Sequence, residues 1–224
     1  MKATKRQQTW SALDQDKMYP LADAIDALRA FTSKKFDESL EIAIRLGIDV
    51  TKADQNIRGM LSLPNGTGKT VRVAVFTVNS QDEAKKAGAD VVGGEDLIEK
   101  VAGGEINFDR VIATPDMMPK MSKIARVLGP KGLMPNPKLG TVTNNVADAV
   151  KVAKAGQIEY RAEKKGIIHA GIGKMSFPTE KLVENAMALI EQLKKVKPAS
   201  SKGQYILGIS IATTQGPGLK VDAK

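Results

Sequence analysis

The sequence predicts a protein of mixed α/β and α+β class in two domains: a split α+β domain made from both ends of the chain, with a Rossmann-like α/β domain inserted between them. Three observations carry this expectation. Each end of the chain holds amphipathic elements that cannot cover their own apolar faces. The middle alternates dense apolar strands with short helices. Finally, 224 residues with a hydrophobic fraction of 42% exceed the roughly 100–150 residues of a usual single domain and can fill more than one core.

In chain order, Leu21, Ile25 and Leu28 recur at helical spacing after Pro20, giving one amphipathic helix. Leu40, Ile42, Ile44 and Leu46 then alternate with Ser39, Glu41, Ala43 and Arg45, the pattern of a strand with one buried face. A second strand fits Ile57 to Leu63. One helix and two strands leave an apolar face uncovered. The cover is expected from the far end, where Leu182, Val183, Ala186, Leu189, Ile190, Leu193 and Val196 form a long helical stripe, opened by Pro178-Thr179 and closed before Pro198. Strands are expected beside it at Ile158 to Arg161, Ile167 to Ile172 and Tyr205 to Thr213.

Between these ends, Val71 to Val78 reads as a buried strand and Gln81 to Ala87 as a helix. A short strand at Val91-Val92, a helix from Glu95 to Val101 and a strand from Arg110 to Ala113 follow. Further helical segments fall near Met117–Leu128 and Val146–Ala155. This alternation argues for a parallel sheet. The expected division is therefore 1–66 plus 159–224 for the discontinuous domain and 67–158 for the inserted one.

The net charge of +9 at a pI near 9.6 favours a polyanionic partner through long-range attraction and counterion release. It is uneven: 10 basic against 9 acidic residues in 1–66, 13 against 10 in 67–158, and 11 against 6 in 159–224. The split domain is thus the expected main polyanion binder. Zero cysteines exclude disulfides, thiolate metal sites and cysteine nucleophiles. The single histidine, His169, leaves no His-rich metal cluster and no marked catalytic constellation. No metal, cofactor or catalytic residue is expected. No apolar run approaches the ~18 residues of a membrane span, so no membrane partner and a cytoplasmic location are expected.

Residues Ala125 to Val142 hold three prolines and three glycines punctuated by Arg126, Lys131 and Lys138, and no acidic residue occurs between Asp116 and Asp148. This is a stiff loop of fixed positive charge; it suits a polyanion and equally suits packing against its own sheet. Gly66-Thr-Gly-Lys-Thr70 ends like a phosphate loop, but Leu63 stands where the first glycine belongs and a strand follows instead of a helix. Gly66 and Gly68 read instead as an inter-domain hinge. His169 lies in an apolar strand, facing solvent or RNA. Phe36, beside Lys34 and Lys35, either staples the following strand to the core or stacks on a base. The tail Ala212 to Gly218 either simply ends a strand or offers hydroxyls and close backbone approach to RNA.

Taken together, Lys35-Phe-Asp-Glu-Ser39, Asp54-Gln-Asn-Ile-Arg-Gly59, Ala113-Thr-Pro-Asp116, Leu128-Gly-Pro-Lys-Gly-Leu-Met-Pro-Asn-Pro-Lys138, Lys154-Ala-Gly156 and Gly166-Ile-Ile-His169 closely resemble the L-one family of bacterial large-subunit ribosomal proteins. The resemblance covers essentially the whole chain. It implies a first domain that grips stalk rRNA and a second that reaches toward deacylated tRNA leaving the exit site. It also implies repression of the protein's own operon by binding an mRNA site that mimics the rRNA. It implies a ribosome-bound protein with no obligate homo-oligomer. By motif, Lys35, Phe36 and Ser39 would contact rRNA or mRNA from the first segment and Thr214, Gln215 and Gly216 from the last, with His169 beside them. Arg126, Lys131 and Lys138 would face tRNA. The usual tail triplet of the family is Thr-Met-Gly, and here Gln215 replaces the methionine. The rival readings are a nucleotide hydrolase using Lys69 and Thr70, and a sequence-neutral DNA-binding protein.

Overall fold

The computed structural model describes residues 9–10, 13–14, 16–32 and 35–222. Within them the order is β1 (Met18–Pro20), α1 (Leu21–Arg29), β2 (Ser39–Leu46), β3 (Arg58–Ser62), β4 (Val73–Phe76), α2 (Gln81–Lys86), β5 (Val91–Gly93), α3 (Glu95–Ala102) and β6 (Arg110–Ala113). Short helical turns run through 115–128. There follow α4 (Val146–Lys154), β7 (Gln157–Arg161), β8 (Ile167–Lys174), α5 (Thr179–Lys195), β9 (Ile206–Thr213) and β10 (Gly218–Asp222). Helices and strands in three sheets make this a mixed α+β protein. By its contacts the chain divides into two compact units, one of residues up to Gly68 and from Ile158 onward, the other Lys69–Gln157.

In the first unit, a five-stranded sheet has the order β1-β10-β9-β2-β8, and β3 pairs with β7 in a separate ribbon. Alternation in β2 sends Leu40, Ile42, Ile44 and Leu46 inward, because successive strand side chains point to opposite faces. They meet Ile25 and Leu28 of α1 and Leu182, Ala186, Leu189 and Ile190 of α5 in one core. Each of these Leu and Ile side chains contributes about 1.5–3 kcal/mol of burial. Both helices pack on the same side of the sheet, and the other side bears Glu41, Ala43, Arg45 and His169.

In the second unit, β5, β4 and β6 form a parallel sheet with β4 in the middle. All four residues of β4 are buried, which requires cover on both faces. Ala74 and Phe76 pack with α3 and the turns of 115–128. Val73 and Val75 pack on the other side with Ala84, Val146 and Val150.

Several sequence expectations need correction. β4 is shorter than Val71–Val78. At its start the Arg72 and Val73 N–H groups are taken by the side chains of Asp109 and Asp90. At its end the Thr77 N–H makes a last bond to the Gly93 carbonyl of β5. The tail after Thr213 turns and returns as β10, antiparallel to β9, and β1 adds parallel to β10. Of the Pro/Gly-rich stretch, Ala125–Leu128 is a helical turn.

Candidate nucleic-acid interface

The strand pairing of β2 with β9 brings two segments together that are 175 positions apart in sequence. The Ser39 N–H donates to Thr214 Oγ1 at 2.9 Å, and the Thr214 N–H donates back to the Ser39 carbonyl at 3.1 Å. The Thr214 hydroxyl leans on that same carbonyl at 3.4 Å. Ser39, Thr214, Gln215 and Gly216 therefore sit at one corner of the sheet. Thr214 and Gln215 are exposed, and Phe36 is 43% exposed just before β2. Phe36 is thus no buried staple. Lys35 is exposed beside it, and Lys34 lies outside the described residues.

The corner rests on groups the sequence did not mark. Glu38 is only 1% exposed, and its Oε2 accepts from the Gln215 N–H at 3.4 Å. Its carbonyl accepts from the Met175 N–H at 2.9 Å. Asp37 accepts from both the N–H and the hydroxyl of Ser176, and its carbonyl accepts from Lys174 Nζ. These bonds fix the approach to β2 from the β8–α5 turn. Nothing local in the sequence signals them, since the partners are more than a hundred residues away. At Gly216 an added Cβ would lie 2.1 Å from Thr213 Oγ1, so only glycine keeps this backbone next to Thr213.

His169 does not join the corner. It pairs opposite Ala43 in the β2–β8 ladder, four residues along β2 from Ser39, which is about 13 Å at ~3.3 Å per residue. It is exposed on the face of the sheet opposite α1 and α5, with Nε2 3.8 Å from Glu163 Oε2.

Gly66 and Gly68 both have left-handed φ, at 67° and 69°. They are held, however. The buried Asn185 of α5 donates to the Gly66 and Ile172 carbonyls at 2.9 and 2.8 Å and accepts from the Asn65 N–H at 3.0 Å. Gly68 lies against Phe177 and Lys174. The boundary between the units falls just after it.

Arg126, Lys131 and Lys138 are exposed on the second unit. The loop that carries them is tied to its own sheet. The Asn136 N–H donates to Thr141 Oγ1 at 2.8 Å, the Ala113 N–H to the Thr141 carbonyl at 3.0 Å, and Leu128 and Leu139 are buried beneath. Packing inward and presenting charge outward are both true of this segment.

A corner of hydroxyls, backbone and an exposed aromatic ring, with Lys35 beside it, suits sugar and phosphate more than a small substrate. The family model of the Ribosomal protein L1p/L10e family matches residues 28–217. The chain belongs to this family. It is accordingly a structural protein of the large ribosomal subunit that binds rRNA. The match spans residues 28–68 and 158–217 of the first unit and the whole of the second. Among the described residues no helix is long and apolar enough to cross a membrane, and no group of three or more His, Cys, Asp or Glu is placed to hold a metal ion.

Proposed function

We propose that the first unit is the rRNA-binding domain, gripping the ribosomal stalk through Lys35, Phe36, Ser39, Thr214, Gln215 and Gly216, and that the second is an inserted Rossmann-like domain that meets tRNA leaving the exit site. The observation that carries this reading is the mutual Ser39–Thr214 pair: it holds both segments in one place, so one RNA fold can touch both. Helical RNA hides its major-groove edges, and recognition then relies on phosphate, 2′-hydroxyl and shape contacts. The small hydroxyl and glycine residues of this corner offer these.

The parallel sheet covered on both faces supports the Rossmann-like reading of the second unit. Exposed Arg126, Lys131 and Lys138 on a loop anchored at Asn136 and Thr141 support its role toward tRNA. Movement between the units is assigned to Lys69–Val71 and the crossing near Gln157, with Gly66 and Gly68 as the fixed end of the hinge. Such movement would let the rRNA-anchored protein follow and help release deacylated tRNA. The same corner would bind a stalk-like site in the protein's own operon mRNA and repress its translation.

Competition tests the shared corner: unlabelled operon leader mRNA should displace the stalk fragment fully, and Thr214→Val should weaken both RNAs together. Displacement that leaves half the stalk fragment bound at saturation would separate the two sites and end the repressor reading.

A further inference from the structure

The turn that leaves β3 carries a reactive pair. Of the chain's asparagines only Asn65 is followed by glycine. In such a pair the glycine nitrogen can attack the asparagine side-chain carbon, because no Cβ crowds the five-membered ring that forms. The new C–N bond closes on Asn65 Cγ, the Cγ–Nδ2 bond breaks, and the Gly66 N–H proton leaves with the ammonia. Water then opens the cyclic imide at either carbonyl, leaving aspartate or isoaspartate. Water is the sole co-reactant.

In the folded chain the groups this step needs are held elsewhere. Leu63 to Gly66 form a β-turn with Pro64 at its second position. The attacking Gly66 N–H donates to the Leu63 carbonyl at 3.1 Å. The leaving Asn65 Nδ2 donates to Glu184 Oε2 at 2.7 Å and to the Lys181 carbonyl at 3.3 Å. Asn185 grips the backbone on both sides of the pair, through the Asn65 N–H and the Gly66 carbonyl. Among the described residues nothing donates to Asn65 Oδ1, where negative charge must collect as the ring closes. Reaction therefore requires the turn to lift off α5, and its rate follows the small population of the lifted state.

We propose that Asn65 is a deamidation site gated by α5: its turn is protected while docked on Asn185 and Glu184, and once converted it cannot dock again. The second half follows from charge and length. A carboxylate has no N–H to give the Lys181 carbonyl, and it meets the Glu184 carboxylate, a like charge, where Nδ2 now lies. Isoaspartate also adds a methylene to the backbone, which moves the Gly66 carbonyl off Asn185. The segment running to the unit boundary after Gly68 then loses its hold on α5. None of this depends on what the Ser39–Thr214 corner binds.

The test incubates the full chain at mildly alkaline pH, either folded or unfolded in urea. Conversion is followed by peptide mass spectrometry and by isoaspartyl methyltransferase labelling, with Asn79, followed by Ser80, as the internal reference. Asn65 should convert faster than Asn79 in urea, and at least about tenfold more slowly folded than unfolded. Asn185→Ala, which frees the Asn65 N–H and the Gly66 carbonyl, should raise the folded-state rate about tenfold. Glu184→Ala, on the exposed side of α5, should raise it less, and serves if Asn185→Ala fails to fold. Asn65→Asp, which supplies one product directly, should lower the thermal midpoint by about 4 °C. Equal rates in the folded and unfolded chain overturn the proposal, as does a folded-state rate unmoved by both α5 variants. An unaltered midpoint, both in Asn65→Asp and in the purified isoaspartate form, overturns the loss of docking.

Discussion

The two candidate RNA-facing regions of this chain are built in opposite ways. The Ser39–Thr214 corner joins distant segments through backbone and hydroxyl groups, with a buried carboxylate beneath and a ring at its edge. The Lys131–Lys138 loop is local and acid-free, and presents its cations on a frame fixed by Asn136, Thr141 and Gly140. The corner has shape and little charge of its own. The loop has charge and a simple outline. Shape selects one RNA fold, whereas charge alone attracts any polyanion and fades with salt. On the proposed reading, the corner holds one RNA firmly and the loop meets another in passing.

The comparison is broken most severely at Gly216. Gly216→Val places side-chain atoms where Thr213 Oγ1 now lies. Overpacking of this kind costs roughly 1–3 kcal/mol. Affinity for the stalk fragment, read by equilibrium titration, should fall by up to about a hundredfold, while binding through the loop should be untouched.

Asn185→Leu comes next. It leaves the buried Ile172 carbonyl and the half-buried Gly66 carbonyl and Asn65 N–H without this partner, and a buried group left unpaired costs about 1–3 kcal/mol. Chemical denaturation should show the first unit destabilised by about 3 kcal/mol. An unchanged midpoint would mean that Asn65 and Gly66 are not pinned.

Replacing Arg126, Lys131 and Lys138 by glutamine together should lower the salt slope for tRNA by roughly 1 for each phosphate those side chains neutralise. Stalk-fragment affinity should stay within about twofold, because distant sites act independently. A large fall in stalk binding would place both RNAs on one surface.

Gln215→Met sharpens the comparison at its finest grain. The Gln215 backbone N–H reaches Glu38, and a change of side chain leaves that bond in place. Stalk affinity should rise by less than about tenfold, from a polarizable thioether in place of an amide.

A smaller effect is expected in the second unit at low pH. The Val73 N–H, and after it Lys154, hold the Asp90 carboxyl below its ordinary range. A lowered folded pKa contributes stability above the unfolded value of about 3.9 and loses it as pH falls through the lowered folded one. With Asp90 partly exposed, solvent screening keeps this to about 1 kcal/mol or less. Asp90→Asn should therefore flatten the acid side of the stability profile, as thermal melts from about pH 6 down to about pH 3 would reveal.

What could be read from the sequence followed periodicity. The alternation of Leu40 to Leu46 and the stripe of Leu182 to Leu193 are strong because each element buries one full face. Three-residue β1 has no period to detect, and β10 was legible only as a turn because its five residues make sense beside β9 alone. The exposure of Lys131 and Lys138 could be expected from their Pro/Gly setting, but the anchor at Thr141 depends on β6. At the corner, hydroxyl and glycine residues were visible as types. The burial of Glu38 was not, since its partner Gln215 is 177 positions away.

The central claim, that shape at the corner and not net charge selects the RNA, is tested most directly by equilibrium binding of the full chain to three nucleic acids across a salt titration: a stalk rRNA fragment, a scrambled RNA hairpin and duplex DNA. The account predicts tight binding to the stalk fragment alone, with a shallow slope, and weak, steeply salt-dependent binding to the other two. Equal affinities that collapse together with rising salt would contradict it.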